Sequence, residues 1–323
     1  MTVAIVGAGL AGSLLALALV ERGQAVTLVD GGQASAATQL SYGVLMPGAD
    51  RPWRRLQRRH GDLGLRPLPV RQVGRPWLPA LPLYRLDGER LALQLPEALA
   101  RAGVVCLPAS LRQPPQPCRR GWHLALAVER PVDPLEAEQV VLAAGAGCRA
   151  LWPQLPAALW VSWAGVLELE RLPPPLERAR DLPRDGALLP VAFDRLALER
   201  RAAQLVAEAW VVDPGLVPRG SGWLAGQISL VRPAPAGGGP APDSAVMEAR
   251  LRQGLASAPA PLASLASWPG RYRQAPVSFC LDGRPLVGPV AGSPGLWVCA
   301  GFSGAYSQVP AAVQTLATRM VGG

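Results

Sequence analysis

Three glycines near the amino end have the spacing that lets a protein backbone hold a pyrophosphate. Residues 3–12 read VAIVGAGLAG, an apolar strand followed by Gly7, Gly9 and Gly12. In a GxGxxG turn, the first glycine permits the tight turn and the second lets a phosphate approach the backbone. The third lets the next helix pack close to the sheet. The free N–H groups and positive dipole end of that helix would then face the phosphates.

An acidic residue follows at the position where a ribose would lie. Asp30 ends the next apolar run, residues 25–29, and its carboxylate is placed to accept hydrogen bonds from a ribose hydroxyl. Turn and acid together predict dinucleotide binding. The alternative is a glycine-rich turn in some other α/β protein, and that alternative leaves Asp30 unexplained.

The elements that must position these residues occur at both ends of the chain. A helix over residues 10–20 follows the first turn, and a glycine-rich turn over residues 301–306 separates a strand from a closing helix. Between them the sequence predicts a helix over residues 91–102 and strands over residues 104–107, 122–128, 139–144 and 296–300.

The middle of the chain has a different pattern. Residues 158–232 contain three β-like runs, a turn at residues 218–222 and a helix within residues 193–208, which indicates an inserted antiparallel sheet. A further helix is predicted over residues 245–255. Residues 51–85 are dense in Arg and Pro and give few helix or strand signals.

Composition bounds the class of protein. The chain has 323 residues, half of them hydrophobic and 17% charged, which favours about two folded domains and excludes extensive disorder. Because the first strand begins at residue 3 and the apolar helix is too short to span a bilayer, we expect a cytoplasmic protein without a transmembrane segment.

The formal charge of +9 comes from arginine alone, since the chain has no lysine. The codon bias of a GC-rich genome explains the use of arginine better than binding to a nucleic acid does. We therefore expect no nucleic-acid partner. Five arginines within residues 51–59 have the spacing of a solvated helix face, although they could also meet an anionic partner. The five cysteines lack a CxxC pair, and the two histidines pair with no nucleophile, so no metal site is indicated.

Several segments, taken in order, resemble the D-amino acid oxidase-like flavoproteins, which include glycine oxidase, sarcosine oxidase and D-amino acid dehydrogenases. They are the opening segment through Asp30, YGVLMP at residues 42–47, VVLAAGAGC at 140–148, LVPRGSGWLAG at 216–226, LDGRPLVGP at 281–289 and GLWVCAGFSGAY at 295–306. The resemblance implies an α/β fold, with a Rossmann-type FAD-binding domain built from discontinuous segments and an antiparallel β-rich substrate domain. The expected boundaries are residues 1–50, 88–155 and 275–323 for the first domain, and 51–87 and 156–274 for the second.

The resemblance also implies which residues would bind a non-covalent FAD. Those at the pyrophosphate would be Gly7, Ala8, Gly9, Leu10, Ala11, Gly12 and Gly145. Those at the adenosine would be Asp30, Gly31 and Leu111. Those along the flavin would be Ser35, Gly43, Val44, Gly301, Phe302, Ser303 and Gly304.

The implied chemistry is oxidation of a C–N bond in a small amino acid or secondary amine, by hydride transfer to flavin N5 and hydrolysis of the imine. The arginine that clamps the substrate carboxylate in this family would fall near Val277 or Ser278. Arg273 is therefore either a displaced clamp or a surface residue, and Tyr306 either reaches the substrate or flavin or packs against Trp297.

Two further interpretations stay open. The flavin could serve other chemistry, such as hydroxylation driven by a nicotinamide or a carotenoid- or quinone-linked reaction. The protein could also be a degenerate flavoprotein, which the displaced arginine favours. No second GxGxxG is present for a nicotinamide, so reoxidation by oxygen or another acceptor is expected. The sequence leaves the oligomeric state open.

Overall fold

The structure, a computed structural model, describes residues 1–32, 37–75, 77–127, 134–179, 182–183, 185–233 and 239–322. Helices in chain order are α1 Leu10–Val20, α2 Asp50–His60, α3 Gly88–Arg101, α4 Cys148–Leu151, α5 Pro174–Glu177, α6 Asp194–Arg200, α7 Ser244–Ala256 and α8 Ala305–Gly322. Strands in chain order are β1 Thr2–Val6, β2 Ala25–Asp30, β3 Leu65–Gln72, β4 Leu81–Leu86, β5 Val105–Pro108, β6 Ser110–Leu111, β7 Gln116–Cys118, β8 Gly121–Leu124, β9 Leu126–Ala127, β10 Leu135–Ala137, β11 Gln139–Leu142, β12 Leu159–Leu169, β13 Ala187–Leu189, β14 Ala209–Arg219, β15 Gly222–Val231, β16 Arg271–Cys280, β17 Leu286–Pro289 and β18 Leu296–Ala300.

The chain divides into two compact units. Unit 1 comprises Met1–Ala34, Leu93–Trp160 and Ser278–Gly323, and unit 2 comprises Ser35–Ala92 and Val161–Val277. Residues 37–50, 88–92 and 275–277, which the sequence grouped with the FAD-binding segments, thus cluster with the second unit, and residues 156–160 cluster with the first.

Unit 1 is built on a six-stranded sheet in the order β17-β18-β11-β1-β2-β5. Every neighbouring pair is parallel except β17 with β18. The helix α1 is apolar on nearly all sides and is almost completely buried, and it packs against α8. Arg22, just after α1, donates hydrogen bonds to Gln314 and Thr318 of α8. Strands from distant parts of the sequence thus share one hydrophobic core.

Unit 2 is built on a seven-stranded sheet in the order β16-β12-β15-β14-β13-β3-β4. The helix α7 covers β14 and β15, and its Leu251 lies close to the left-handed Gly226 of β15 (φ +61°), where a Cβ would lie 2.8 Å from that side chain. The sheet is mostly antiparallel, as predicted, but β13 and β3 pair in parallel.

The expectation of few regular elements in residues 51–85 was wrong, because this segment forms α2, β3 and β4. Prolines usually argue against a strand, since they cannot donate to the ladder. Pro67 and Pro69 lie two residues apart in β3, so their missing N–H groups fall on one edge of the strand. Pairing with β4 runs without a break from Leu65 to Val70.

Candidate functional site

The first glycine-rich turn is held by close backbone packing. Gly7 has φ +111°, and a Cβ there would lie 2.6 Å from the carbonyl oxygen of Ala143. A Cβ on Gly12 would lie 1.9 Å from the carbonyl oxygen of Gly7. Both positions therefore require glycine to keep α1 tight against β1 and β11.

Gly9 is glycine for a different reason. It is the N-cap of α1 with no side-chain capping hydrogen bond, and a Cβ there would meet no atom within 4 Å. No acidic residue occupies the first turn of α1. The helix dipole and unblocked backbone beside an open space fit a pyrophosphate, so the residues present fit the phosphates of FAD. Ala8, Leu10 and Ala11 complete this turn, and the carbonyl oxygen of Ala8 accepts a hydrogen bond from Ser13.

The adenosine candidates lie at the end of β2. Asp30 is exposed, and its Oδ1 accepts the N–H of Gly32 at 3.0 Å. A Cβ on Gly31 would lie 3.5 Å from the Cβ of Ser110. Because the N–H of Ala109 donates to the carbonyl oxygen of Asp30 at 2.9 Å, Leu111 in β6 follows close to the same strand end.

Two further turns follow the neighbouring parallel strands. Gly145 follows β11 with φ +55°, and a Cβ there would meet no atom within 4 Å. After β18, Gly301 has φ +82° and donates its N–H to the buried Ser278 hydroxyl at 3.2 Å. The carboxyl ends of β1, β2, β11 and β18 share one edge of the sheet, the usual ligand-binding edge of such folds. The structure thus brings the glycine-rich segments together.

The turn after β18 leads directly into α8. Phe302 is buried, Ser303 is half-buried and Gly304 is exposed. The N–H of Gly304 donates to Oε1 of Gln308 at 3.3 Å. Tyr306 is 4% exposed in the first turn of α8.

The remaining residues that were predicted to contact the flavin do not belong to these turns. Ser35 lies outside the described residues. Gly43 and Val44 belong to unit 2, where Gly43 (φ +70°) packs so closely that a Cβ would lie 2.2 Å from the carbonyl oxygen of Leu86. Val44 forms an isolated antiparallel bridge with Arg85.

The candidate clamp, Arg273, lies in β16 and joins a chain of ion pairs. Its Nη1 lies 3.8 Å from a carboxylate oxygen of Glu168. Glu168 also pairs with Arg219, whose Nε lies 3.3 Å from Glu89. At the position where the family clamp is expected, Ser278 instead holds Gly301.

The buried pair Asp213 and Tyr42 gave no signal in the sequence. The Asp213 carboxylate accepts the N–H groups of Asp194 at 2.7 Å and Arg195 at 3.3 Å, which caps α6. Burial raises the pKa of Asp213 to about 6, although these hydrogen bonds oppose the rise. Burial, and then the charge of Asp213, raise the pKa of the Tyr42 hydroxyl. Only three-dimensional packing could reveal this pair.

Within the described ranges, no helix is long and apolar enough to cross a membrane. The same residues contain no cluster of three or more His, Cys, Asp or Glu side chains that could hold a metal ion.

One family model matches the amino-terminal part of the chain. Residues 2–68 match the family model DAO, described as FAD dependent oxidoreductase. No curated protein matches the chain significantly.

Three solved structures illustrate the shared fold. Glycine oxidase from Bacillus cereus ATCC 14579 is 14% identical with a TM-score of 0.71, and iminodiacetate oxidase from Chelativorans sp. BNC1 is 16% identical with a TM-score of 0.69. Each match covers 99% of this chain and 95% of the other. The peptidyl tryptophan dihydroxylase QhpG is 17% identical with a TM-score of 0.59, over 99% of this chain and 65% of that one.

The predicted fold class and the resemblance are confirmed by these matches. Over residues 2–68 this chain is thus similar to the FAD dependent oxidoreductases that the DAO model describes, and along its whole length it shares its fold with glycine oxidase and iminodiacetate oxidase.

Proposed function

We propose that this protein oxidises a C–N bond of an amino acid or secondary amine, with non-covalently bound FAD as the electron acceptor. The observation that carries the proposal is the set of glycine-rich turns at one sheet edge, in a fold shared with glycine oxidase and iminodiacetate oxidase. The names of both enzymes give amine substrates that carry a carboxylate.

In this proposal each glycine-rich turn has its own role. Residues 7–12 and Gly145 hold the pyrophosphate through backbone N–H groups, and Asp30 accepts hydrogen bonds from the ribose. Residues 301–304 direct the positive end of α8 towards the flavin, where it would favour negative charge. Ser35, Gly43, Val44 and Leu111 remain proposed contacts.

Non-covalent binding of FAD agrees with the burial and raised pKa values of three cysteine thiols in unit 1. Burial raises the pKa of Cys148 and of Cys299 to about 12, and it also raises the pKa of Cys280. Buried neutral thiols are poor nucleophiles. All five cysteines are free, which suits the reducing cytoplasm in which we place the protein.

The substrate-binding roles of Arg273 and Tyr306 belong to the same proposal. Arg273 would orient the carboxylate of a small-molecule substrate, and Tyr306 would contact the substrate or the flavin. The protein needs no strong base if the amine binds neutral. It must orient the amine and exclude water, and oxygen or another acceptor takes the electrons in turn.

The first test is the visible spectrum of the purified protein, repeated without oxygen in the presence of glycine, sarcosine, proline and D-amino acids. Flavin absorbance that bleaches with one amine supports the proposal and gives the substrate class. An intact flavin spectrum that no amine bleaches contradicts it. A colourless protein that FAD cannot reconstitute would remove the cofactor assignment as well.

A second candidate function is hydroxylation with a nicotinamide as the reductant. It is favoured by one observation, that a peptidyl tryptophan dihydroxylase has the same fold along almost all of this chain. Bleaching by NADH or NADPH, but by no amine, would favour it. A flavin that responds to neither would indicate a degenerate flavoprotein, in keeping with the ion pair that engages Arg273.

A further inference from the structure

The positive charge of the chain is concentrated in one unit. Unit 2 contains 23 arginines and 15 acidic residues, whereas unit 1 contains nine and eight. Within unit 2, residues 50–90 alone contain ten arginines and four acidic residues. The charge excess is therefore a local property of this segment.

The helix α2 gathers half of those ten arginines on one face. At 100° per residue they fall within an arc of about 140°; they are Arg51, Arg54, Arg55, Arg58 and Arg59. Trp53 and Leu56 lie on the opposite side and are buried in unit 2, where α2 packs on β3. All five arginines are exposed.

The helix α2 itself contains little negative charge to neutralise its arginine face. Asp50 is the one acidic residue of α2, and its carboxylate pairs with Arg54 at 2.7 Å. Arginines three or four positions apart repel one another and weaken a helix. By contrast, the longer helix α3 contains two glutamates and two arginines. Codon bias explains why the basic residues are arginine, but it does not explain their collection on one helix face.

Exposed apolar side chains lie on the segments that precede and follow α2 in the sequence. Met46, four residues before the helix, is 68% exposed, and Trp77, in the loop between β3 and β4, is 74% exposed. Leu81 at the start of β4 is 43% exposed. Cationic groups together with exposed Trp and Leu are typical of surfaces that rest on a bilayer.

We propose that the arginine face of α2 is a docking surface for an anionic phospholipid bilayer. Because the apolar side of α2 is committed to the core of unit 2, the helix would stay outside the hydrocarbon and bind the headgroups. Attachment would then be peripheral and sensitive to ionic strength.

The test is co-sedimentation of the full-length, FAD-loaded protein with phosphatidylcholine vesicles, with and without phosphatidylglycerol. We expect binding to the anionic vesicles alone and release by high salt. Arg55→Gln with Arg58→Gln should weaken binding about 25-fold, since each basic residue near such a surface contributes about fivefold. Trp77→Ser should weaken binding without changing its dependence on salt.

The matched control removes the same charge from unit 1 by Arg119→Gln with Arg120→Gln, two exposed neighbours in sequence. The control should change binding less than about twofold. Equal loss in both double variants, binding to neutral vesicles, or no binding to anionic vesicles would overturn the proposal. Preferential binding to a short nucleic-acid duplex would overturn it in favour of that partner. Because Arg55 and Arg58 are exposed, the Arg55→Gln, Arg58→Gln variant should keep the wild-type Tm and flavin spectrum. These two measurements check that the variant is folded.

Discussion

Gly9 and Gly12 differ in what a single added carbon atom would meet. Gly9→Ala should fold normally, since its Cβ has no neighbour within 4 Å, yet bind FAD more weakly because the methyl group would occupy the space proposed for the pyrophosphate. Gly12→Ala should destabilise the protein itself, by at least about 2 kcal/mol, because its Cβ would overlap the carbonyl oxygen of Gly7.

Thermal unfolding of the FAD-free variants and FAD titration separate these two effects. An apoprotein of Gly9→Ala that unfolds as early as that of Gly12→Ala would show that Gly9 has a structural role. Wild-type FAD affinity in Gly9→Ala would move the pyrophosphate away from this turn.

Arg273 can be tested against a neighbour on its own strand. If it clamps a carboxylate, Arg273→Gln should raise KM at least about 100-fold, by loss of a charge-assisted hydrogen-bonded pair of about 3 kcal/mol. Arg271→Gln, two residues earlier and exposed, is the control and should leave KM unchanged. A normal KM with a lowered Tm in Arg273→Gln would limit this residue to its ion pair with Glu168.

Among the elements, the helix α6 is capped by a buried carboxylate, that of Asp213 in the strand β14. Asp213 has a folded-state pKa of about 6, above its ordinary value of 3.8, so the folded protein binds this proton more readily than the unfolded chain. Its effect on stability is therefore most favourable at low pH and diminishes as pH rises from about 4 to about 6. By linkage, the difference across this window is on the order of 2–3 kcal/mol.

We expect Asp213→Asn to flatten this part of the pH–stability curve, since Asn keeps an acceptor oxygen but does not titrate. Urea unfolding at several pH values measures the slope. Asp243→Asn, which alters the exposed N-cap of α7, is the control and should keep the wild-type slope. An unchanged slope in Asp213→Asn would show that other groups cause the dependence.

The sequence predicted elements best where one local pattern decides them. The apolar strand and glycine turn before α1, and the strand before α8, were placed correctly to within a few residues at their ends. The hairpin of β3 and β4 was missed because prolines usually argue against a strand, and their composition does not show that the missing N–H groups of Pro67 and Pro69 fall on one edge of β3. The capping of α6 by Asp213 was missed because it joins residues 19 positions apart.

The candidate site shows the same division between local and distant interactions. Spacing alone predicted Gly7, Gly9 and Gly12, and the structure explains each of them by packing or open space. The ion pair between Arg273 and Glu168 could not be predicted, since it depends on the alignment of β16 with its neighbours in the sheet.

At the scale of the whole molecule, bound FAD should stabilise the folded state of unit 1 by connecting segments that are distant in the sequence. Its candidate contacts within unit 1 come from three separated segments, around residues 7–31, 109–145 and 301–304. FAD at 100 times its Kd should add about 2.7 kcal/mol of stability and raise the apparent Tm by at least about 4 °C, since a chain of 323 residues unfolds with an entropy of about 0.7 kcal/mol/K. Differential scanning fluorimetry with and without FAD measures the shift. Gly9→Ala should show a smaller one at the same concentration, and an equal shift would contradict the proposed contact.

The division of unit 1 among distant segments has a consequence for the newly made chain. The helix α1 is synthesised long before its packing partner α8, and the strand β18, which pairs with β11 in the same sheet, also follows it at a large distance in the sequence. The apolar surface of α1 therefore stays without its packing partner until residues 305–322 have been synthesised. A chain stalled before residue 296 would therefore expose the apolar surface of α1 to chaperones and proteases.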